Sequence, residues 1–108
     1  MKAERLDSVI SPDARIDFIK IDVEGAEGLV LTGAAQTIAW NRPYVVLEHG
    51  RRSSLDFGVS SQQVYDLLVE RCGLRVSLLA AWLAGARPLT RFEIAAQREW
   101  YFVAHPPR

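Results

Sequence analysis

The sequence predicts an α/β fold, and three observations carry that reading. Ile16-Asp17-Phe18-Ile19-Lys20-Ile21-Asp22-Val23 is short, β-branched and aromatic, with Ser11-Pro12-Asp13 as a turn upstream, which is the signature of a strand. A helical stretch opens at Glu24, continues through Ile38 and stops at Asn41-Arg42-Pro43, because a residue before proline is pushed out of the α region. Tyr44-Val45-Val46-Leu47-Glu48 is then a second buried strand. Strand, helix and strand in succession form one right-handed crossover unit of a parallel sheet.

Taken in order, the first strand carries Phe18, Ile19, Ile21 and Val23 on both of its faces, the pattern of a parallel strand covered by helices on each side. In the helix that follows, acidic residues gather at the start, where the dipole favours negative charge, and Ala26, Leu29, Val30 and Gly33 are expected to share one face. Gly33 marks either a break or a close packing contact. A polar loop over residues 49–58 leads to Ser60 as an N-cap and to a second amphipathic helix with Val64, Leu67 and Leu68, ending at Cys72-Gly73. Leu74-Arg75-Val76-Ser77-Leu78 and Glu99-Trp100-Tyr101-Phe102-Val103-Ala104 read as two more strands, with a helical or hairpin excursion over residues 79–84 between them. His105-Pro106-Pro107-Arg108 reads as a tail that cannot extend a sheet, with His105 in solvent.

Thirteen basic residues balance thirteen acidic ones in 108, so the expectation is one domain over residues 1–108 that neither nucleic acid nor an anionic membrane attracts. Acids prevail up to Asn41 and arginines after it, which a solvated surface explains. Cys72 is alone, which excludes an intramolecular disulfide framework and a cysteine-rich zinc site and fits a reducing cytoplasm. No apolar run approaches the ~20 residues of a membrane span.

Asp22 and Glu24 flank Val23 at the carboxyl end of the first strand, where open α/β sheets place ligands. In extended backbone residues two apart project to one side, so both carboxylates could meet one hydroxyl, amine or cation. Gly25 allows close backbone approach, and Glu27 lies in the first helical turn. The same acids also suit a helix start, and spacing leaves both readings open.

Leu6-Asp7-Ser8-Val9, the run from Ile16 to Glu27, Val30-Leu31-Thr32-Gly33-Ala34, Arg42-Pro43 and Val46-Leu47-Glu48 together resemble the C-terminal part of FkbM-family methyltransferases. Lys20 to Glu27 is the specific portion, and the likeness covers roughly residues 6 to 50. The resemblance implies the C-terminal half of a class I methyltransferase Rossmann-like sheet. The first strand here would be its fourth, Tyr44 to Glu48 its fifth, and the last two would form a closing antiparallel strand pair. It also implies S-adenosylmethionine as cofactor. Such enzymes hold it with a Gly-rich turn after their first strand and an acidic residue after their second. No Gly-x-Gly occurs in this chain, so the cofactor-binding half is expected to be absent and its residues are not assigned here.

The function that the resemblance implies is methyl transfer to a hydroxyl of a sugar, polyketide or similar small molecule. Asp22, Glu24 and His49 are the candidate catalytic residues, His49 as the general base. Glu48 and Arg51, with Arg52 beside it, are candidates for binding the substrate. No metal is assigned, although Asp22, Glu24 and Glu48 could share a hard divalent cation. That set defines a competing reading as a metal-dependent hydrolase, and a half-domain that only pairs with another chain is a third. Trp40, Trp82 and Trp100 are expected to pack, and Cys72 to be structural. The first strand is also expected to leave an open sheet edge through which the chain associates with itself.

Overall fold

Phe18–Ile21 forms strand β1 of the computed structural model, which describes residues 5–21, 27–48, 61–97 and 101–107. Its parallel partner is β2 (Tyr44–Glu48), with Phe18 opposite Tyr44 and Ile21 opposite Leu47. Between them runs a helix over Glu27–Asn41, named α2 because a short α1 (Leu6–Val9) precedes the sheet. After α3 (Ser61–Asp66) a π-helical turn (Leu67–Arg71) leads into β3 (Arg75–Leu78), and α4 (Leu79–Leu83) follows directly. Helix α5 (Arg91–Ala96) comes before the last strand, β4 (Tyr101–His105). The sheet order is β1-β2-β4-β3, with β4 antiparallel to both neighbours. The expected closing pair is therefore present, and its last strand is the one that joins the parallel unit.

Registers and side-chain alternation sort the sheet into two faces. One face carries Ile21, Val45, Leu47, Val76, Phe102 and Ala104, all buried in one cluster with Leu31, Ala34 and Ile38 of α2, Val64 of α3 and Leu68 of the π turn. Each fully buried Leu, Ile or Val there stabilises the fold by about 1.5–3 kcal/mol. The opposite face carries Phe18 and Lys20 of β1, Tyr44, Val46 and Glu48 of β2, and Tyr101, Val103 and His105 of β4. Helix α4 lies against β3 and β4, and its Trp82 ring sits 5.4 Å from His105 and 5.7 Å from Tyr44.

Several expectations change in this setting. Strand β1 is not covered on both faces: Phe18 is 59% exposed and Lys20 is exposed, because β1 is an edge strand with described helices on one side only. Helix α2 buries Leu31, Ala34, Ala35 and Ile38, whereas Leu29 and Val30 are exposed. Apolar residues surround this helix, so periodicity does not select a face. The small Ala pair lets one side approach the sheet. Gly33 marks no break, and α2 runs on to Asn41.

His105 is 1% exposed and belongs to β4, contrary to its reading as a solvated tail residue. Among the described residues, Pro106 and Pro107 lie beyond the strand. Since the Pro106 carbonyl can only accept, Nδ1 of His105 donates to it at 2.9 Å, and in the neutral ring Nε2 then accepts from the Ser77 hydroxyl at 2.9 Å. Two arginines of the exposed surface, which stay solvated as expected, also form ion pairs. Arg91 reaches both Asp66 oxygens and Arg87 both Glu93 oxygens, while Thr90 and Glu93 close a capping box at the start of α5.

Cys72 is structural as expected, buried with its thiol donating to the Ala35 carbonyl, and burial raises its pKa. Gly73, at φ 74°, turns the chain out of the π segment. A Cβ there would meet the Arg42 guanidinium at 3.0 Å, so glycine also makes room for the residue that ends α2.

Candidate functional site

Because β1 and β2 are parallel, the chain leaves both at the same end of the sheet. Ile21, the residue before Asp22, lies in register with Leu47, the residue before Glu48. At that end Glu48 is half-buried and opposite Tyr101, which is 58% exposed. A carboxylate and a phenol ring thus stand side by side at a strand terminus. In the sequence Tyr101 reads only as part of a strand. No sequence signal places it beside Glu48, since the pairing joins residues 53 positions apart.

Of the predicted site residues, Glu48 is the one the structure describes. Asp22, Glu24, His49 and Arg51, with Arg52, lie outside the described residues, as does the side chain of Glu27. Among the described residues no three His, Cys, Asp or Glu side chains come together as a metal site. No described helix is long and apolar enough to cross a membrane. Trp100 also lies outside the described residues, and Trp40 does not pack as expected, being 58% exposed.

A cradle for a bound cofactor needs a glycine with open, walled space in front of it. Gly33 faces Arg5 at 3.4 Å, Gly73 faces Arg42, and Gly85 faces open space. The first two are filled by the chain's own side chains and the third is unwalled, so these positions do not fit that role. A cavity of about 120 Å³ lies between the first turns of α2 and α3, lined by Gly28, Leu31, Thr32, Gln63, Val64 and Leu67. A larger groove of about 500 Å³ lies between α1 and the last turns of α2, with Asp7, Ser8, Gln36 and Trp40 among its walls. Since α2 ends where β2 begins, this groove is remote from the strand carboxyl ends.

Helix α2 begins just after the acidic segment, and its position is set by a residue without an assigned role in the sequence reading. The Asp7 carboxylate accepts from the N–H of Gln36 at 3.1 Å, from the N–H of Thr37 at 2.9 Å and from the Thr37 hydroxyl at 2.8 Å. Arg5 donates to the Thr32 carbonyl at 3.4 Å. Thr32 C=O and Gln36 N–H are the two ends of one helical step, so residues 5 and 7 grip α2 at a single point. Burial would raise the Asp7 pKa, but the bonds from Thr37 and Gln36 and the nearby Arg5 charge hold it below its ordinary value.

Residues 1–76 match the family model described as Methyltransferase FkbM domain, a span that takes in α1, β1, α2, β2, α3, the π turn and the start of β3. Comparison with curated proteins and with solved structures gives no match.

Proposed function

This chain belongs to the FkbM methyltransferase family, and from that premise we propose that it serves methyl transfer from S-adenosylmethionine to a hydroxyl of a small molecule such as a sugar or polyketide. The observation that carries the reading is the family match over residues 1–76, which includes both parallel strands and the acidic segment between β1 and α2. We read the sheet as the C-terminal half of a class I methyltransferase sheet, in a reducing cytoplasm. The parallel β1–β2 pair and the antiparallel β4 between β2 and β3 support the first part, and the lone buried Cys72 supports the second.

Gly33, Gly73 and Gly85 do not fit the donor, and the roles proposed for this chain concern the acceptor. Glu48 and Arg51 orient the acceptor, the first by accepting from hydroxyls and the second by donating. His49 accepts the hydroxyl proton while Asp22 and Glu24 orient the hydroxyl, which turns a weak nucleophile into an alkoxide-like one at the point of attack. Positioned proton removal of this kind contributes about 10²–10⁴-fold. What supports the arrangement is that Ile21 and Leu47, the residues leading to Asp22 and to Glu48-His49, are in register.

The test uses the protein that carries this chain together with the Gly-rich half the family implies, supplied with methyl-labelled S-adenosylmethionine and hydroxylated acceptors. The expected product is an O-methyl ether. With His49 as base, turnover rises with pH across the ordinary histidine range and His49→Gln removes that limb. An unchanged profile in the variant moves the proton to Asp22 or Glu24, and label on nitrogen or carbon contradicts the hydroxyl acceptor.

A further inference from the structure

Helix α2 is held unevenly along its length. Its later turns bury Ala34, Ala35, Thr37 and Ile38, whereas Leu29, Val30 and Thr32 before them are exposed and a cavity of about 120 Å³ lies beside Gly28 and Leu31. The directional contacts follow the same division. The Asp7 carboxylate accepts from the N–H groups of Gln36 and Thr37, Arg5 donates to the Thr32 carbonyl, and the Asn41 side chain accepts from the Ile16 N–H at 2.9 Å. All of these fall at Thr32 or later. Inside a helix an N–H ordinarily serves the carbonyl four residues back, which makes Gln36 and Thr32 natural partners. Here a carboxylate meets the one and a guanidinium the other, both from the segment around α1.

Residues 22–26, with Asp22 and Glu24 among them, join Ile21 to Glu27. Pairing with β2 fixes Ile21. The span left for the joining residues is then set by where α2 lies along its own axis. Apolar burial is non-directional, and the small Ala34-Ala35 pair offers little relief against sliding, so hydrogen bonds of defined length and angle fix that position. We propose that Asp7 is a positioning residue for methyl transfer, its grip on Gln36 and Thr37 setting the axial position of α2 and through it the placement of Asp22 and Glu24 beside the end of β2. Its effect on turnover rests on the methyl-transfer reading, whereas its effect on α2 rests on the geometry alone. Glu27 to Gln36 spans ~14 Å of helix, so a slip at the grip is carried along a rigid rod to the acidic segment. Asp7→Asn sets an NH2 group against one of the two helix N–H groups and so opens the grip.

The test uses the protein that carries this chain together with the cofactor half, well below the melting temperature of every variant. In Asp7→Asn, kcat should fall by about 10-fold or more with KM for S-adenosylmethionine unchanged, since a misplacement of ~1 Å costs up to about 10²-fold. Ser77→Ala, which loses a buried bond on β3, should keep the wild-type kcat and serves as the control for lost stability alone. Adding Asp7→Asn to Asp22→Asn should lower kcat little further, because the group that Asp7 places is already gone. Hydrogen exchange gives a readout that needs no turnover. In Asp7→Asn the amides of Leu31 and Thr32 should exchange faster than in the wild type while those of β2 keep their rates, the mark of local rather than global opening. Equal acceleration throughout, or wild-type kcat in Asp7→Asn, overturns the positioning role. Losses that multiply in the double variant overturn the route through the acids. Absence of turnover in the wild-type protein contradicts methyl transfer itself, and the exchange pattern then decides the grip on α2.

Discussion

Strands β4 and β1 are of similar length and both carry aromatic and aliphatic residues, yet they finish in opposite surroundings. In β4, Phe102, Val103, Ala104 and even His105 are buried, because strands flank it on both sides, α4 covers one face and the core fills the other. In β1 only Ile21 is buried, because among the described residues the strand has one neighbouring strand and one covered face. Composition alone reverses this ranking: the strand rich in isoleucine looks central and the one ending in histidine and prolines looks peripheral. Burial is thus set by a strand's place in the sheet order, which its own residues do not state.

The largest effect that sharpens this contrast is on stability. Phe102→Ala should cost about 3–5 kcal/mol, the usual range for a buried phenylalanine, whereas Phe18→Ala should cost under ~1 kcal/mol in the monomer. Denaturant melts at low chain concentration compare the two, and equal losses would mean that β1 is as enclosed as β4. Next comes Ser77→Ala, which leaves Nε2 of a 1%-exposed imidazole without its partner and should cost about 1–3 kcal/mol. An unchanged midpoint would show that the Ser77–His105 bond does not hold the closed half together.

Smaller is the effect of Asp7→Asn, about 1–2 kcal/mol, since an amide can present only one oxygen to the donors of α2. Its pH dependence has a fixed sign. The folded pKa of Asp7 lies below the unfolded value of 3.8, so its contribution is complete above that value and is lost as pH falls through the lower one. Melting temperatures between about pH 6 and pH 2 should fall less steeply in the variant over the acid limb. Glu93 shares that limb, because its bonds from Arg87 and Thr90 hold its pKa at about 2. An identical acid slope in the variant and the wild type would remove Asp7 from the account.

What the sequence made legible was local. The bounds of β2 agree at both ends, because Pro43 forbids an earlier start and the apolar run is unambiguous. The end of α2 and the glycine turn at Gly73 were readable for similar reasons of backbone sterics. The buried side of α2 was not, since Leu29, Val30 and Leu31 are interchangeable in hydropathy and only packing on the sheet separates them. Asp7 stood in the quoted Leu6-Asp7-Ser8-Val9 run, but its partners are 29 and 30 residues away and no pattern in the run points to them. Within the candidate site, Glu48 was legible as a strand end and Tyr101 was not, because an antiparallel partner from the far end of the chain leaves no trace in local spacing.

The central claim is that the acids at the end of β1 do chemistry rather than start a helix. Turnover and thermal melting of Asp22→Asn and Glu24→Gln, measured side by side in the protein that carries the cofactor half, address it most directly. The account predicts a loss of about 10²-fold or more in methyl transfer, with little change in melting temperature. Wild-type turnover in both variants, or a loss that merely follows a lowered melting temperature, would return Asp22 and Glu24 to the role of helix-start acids.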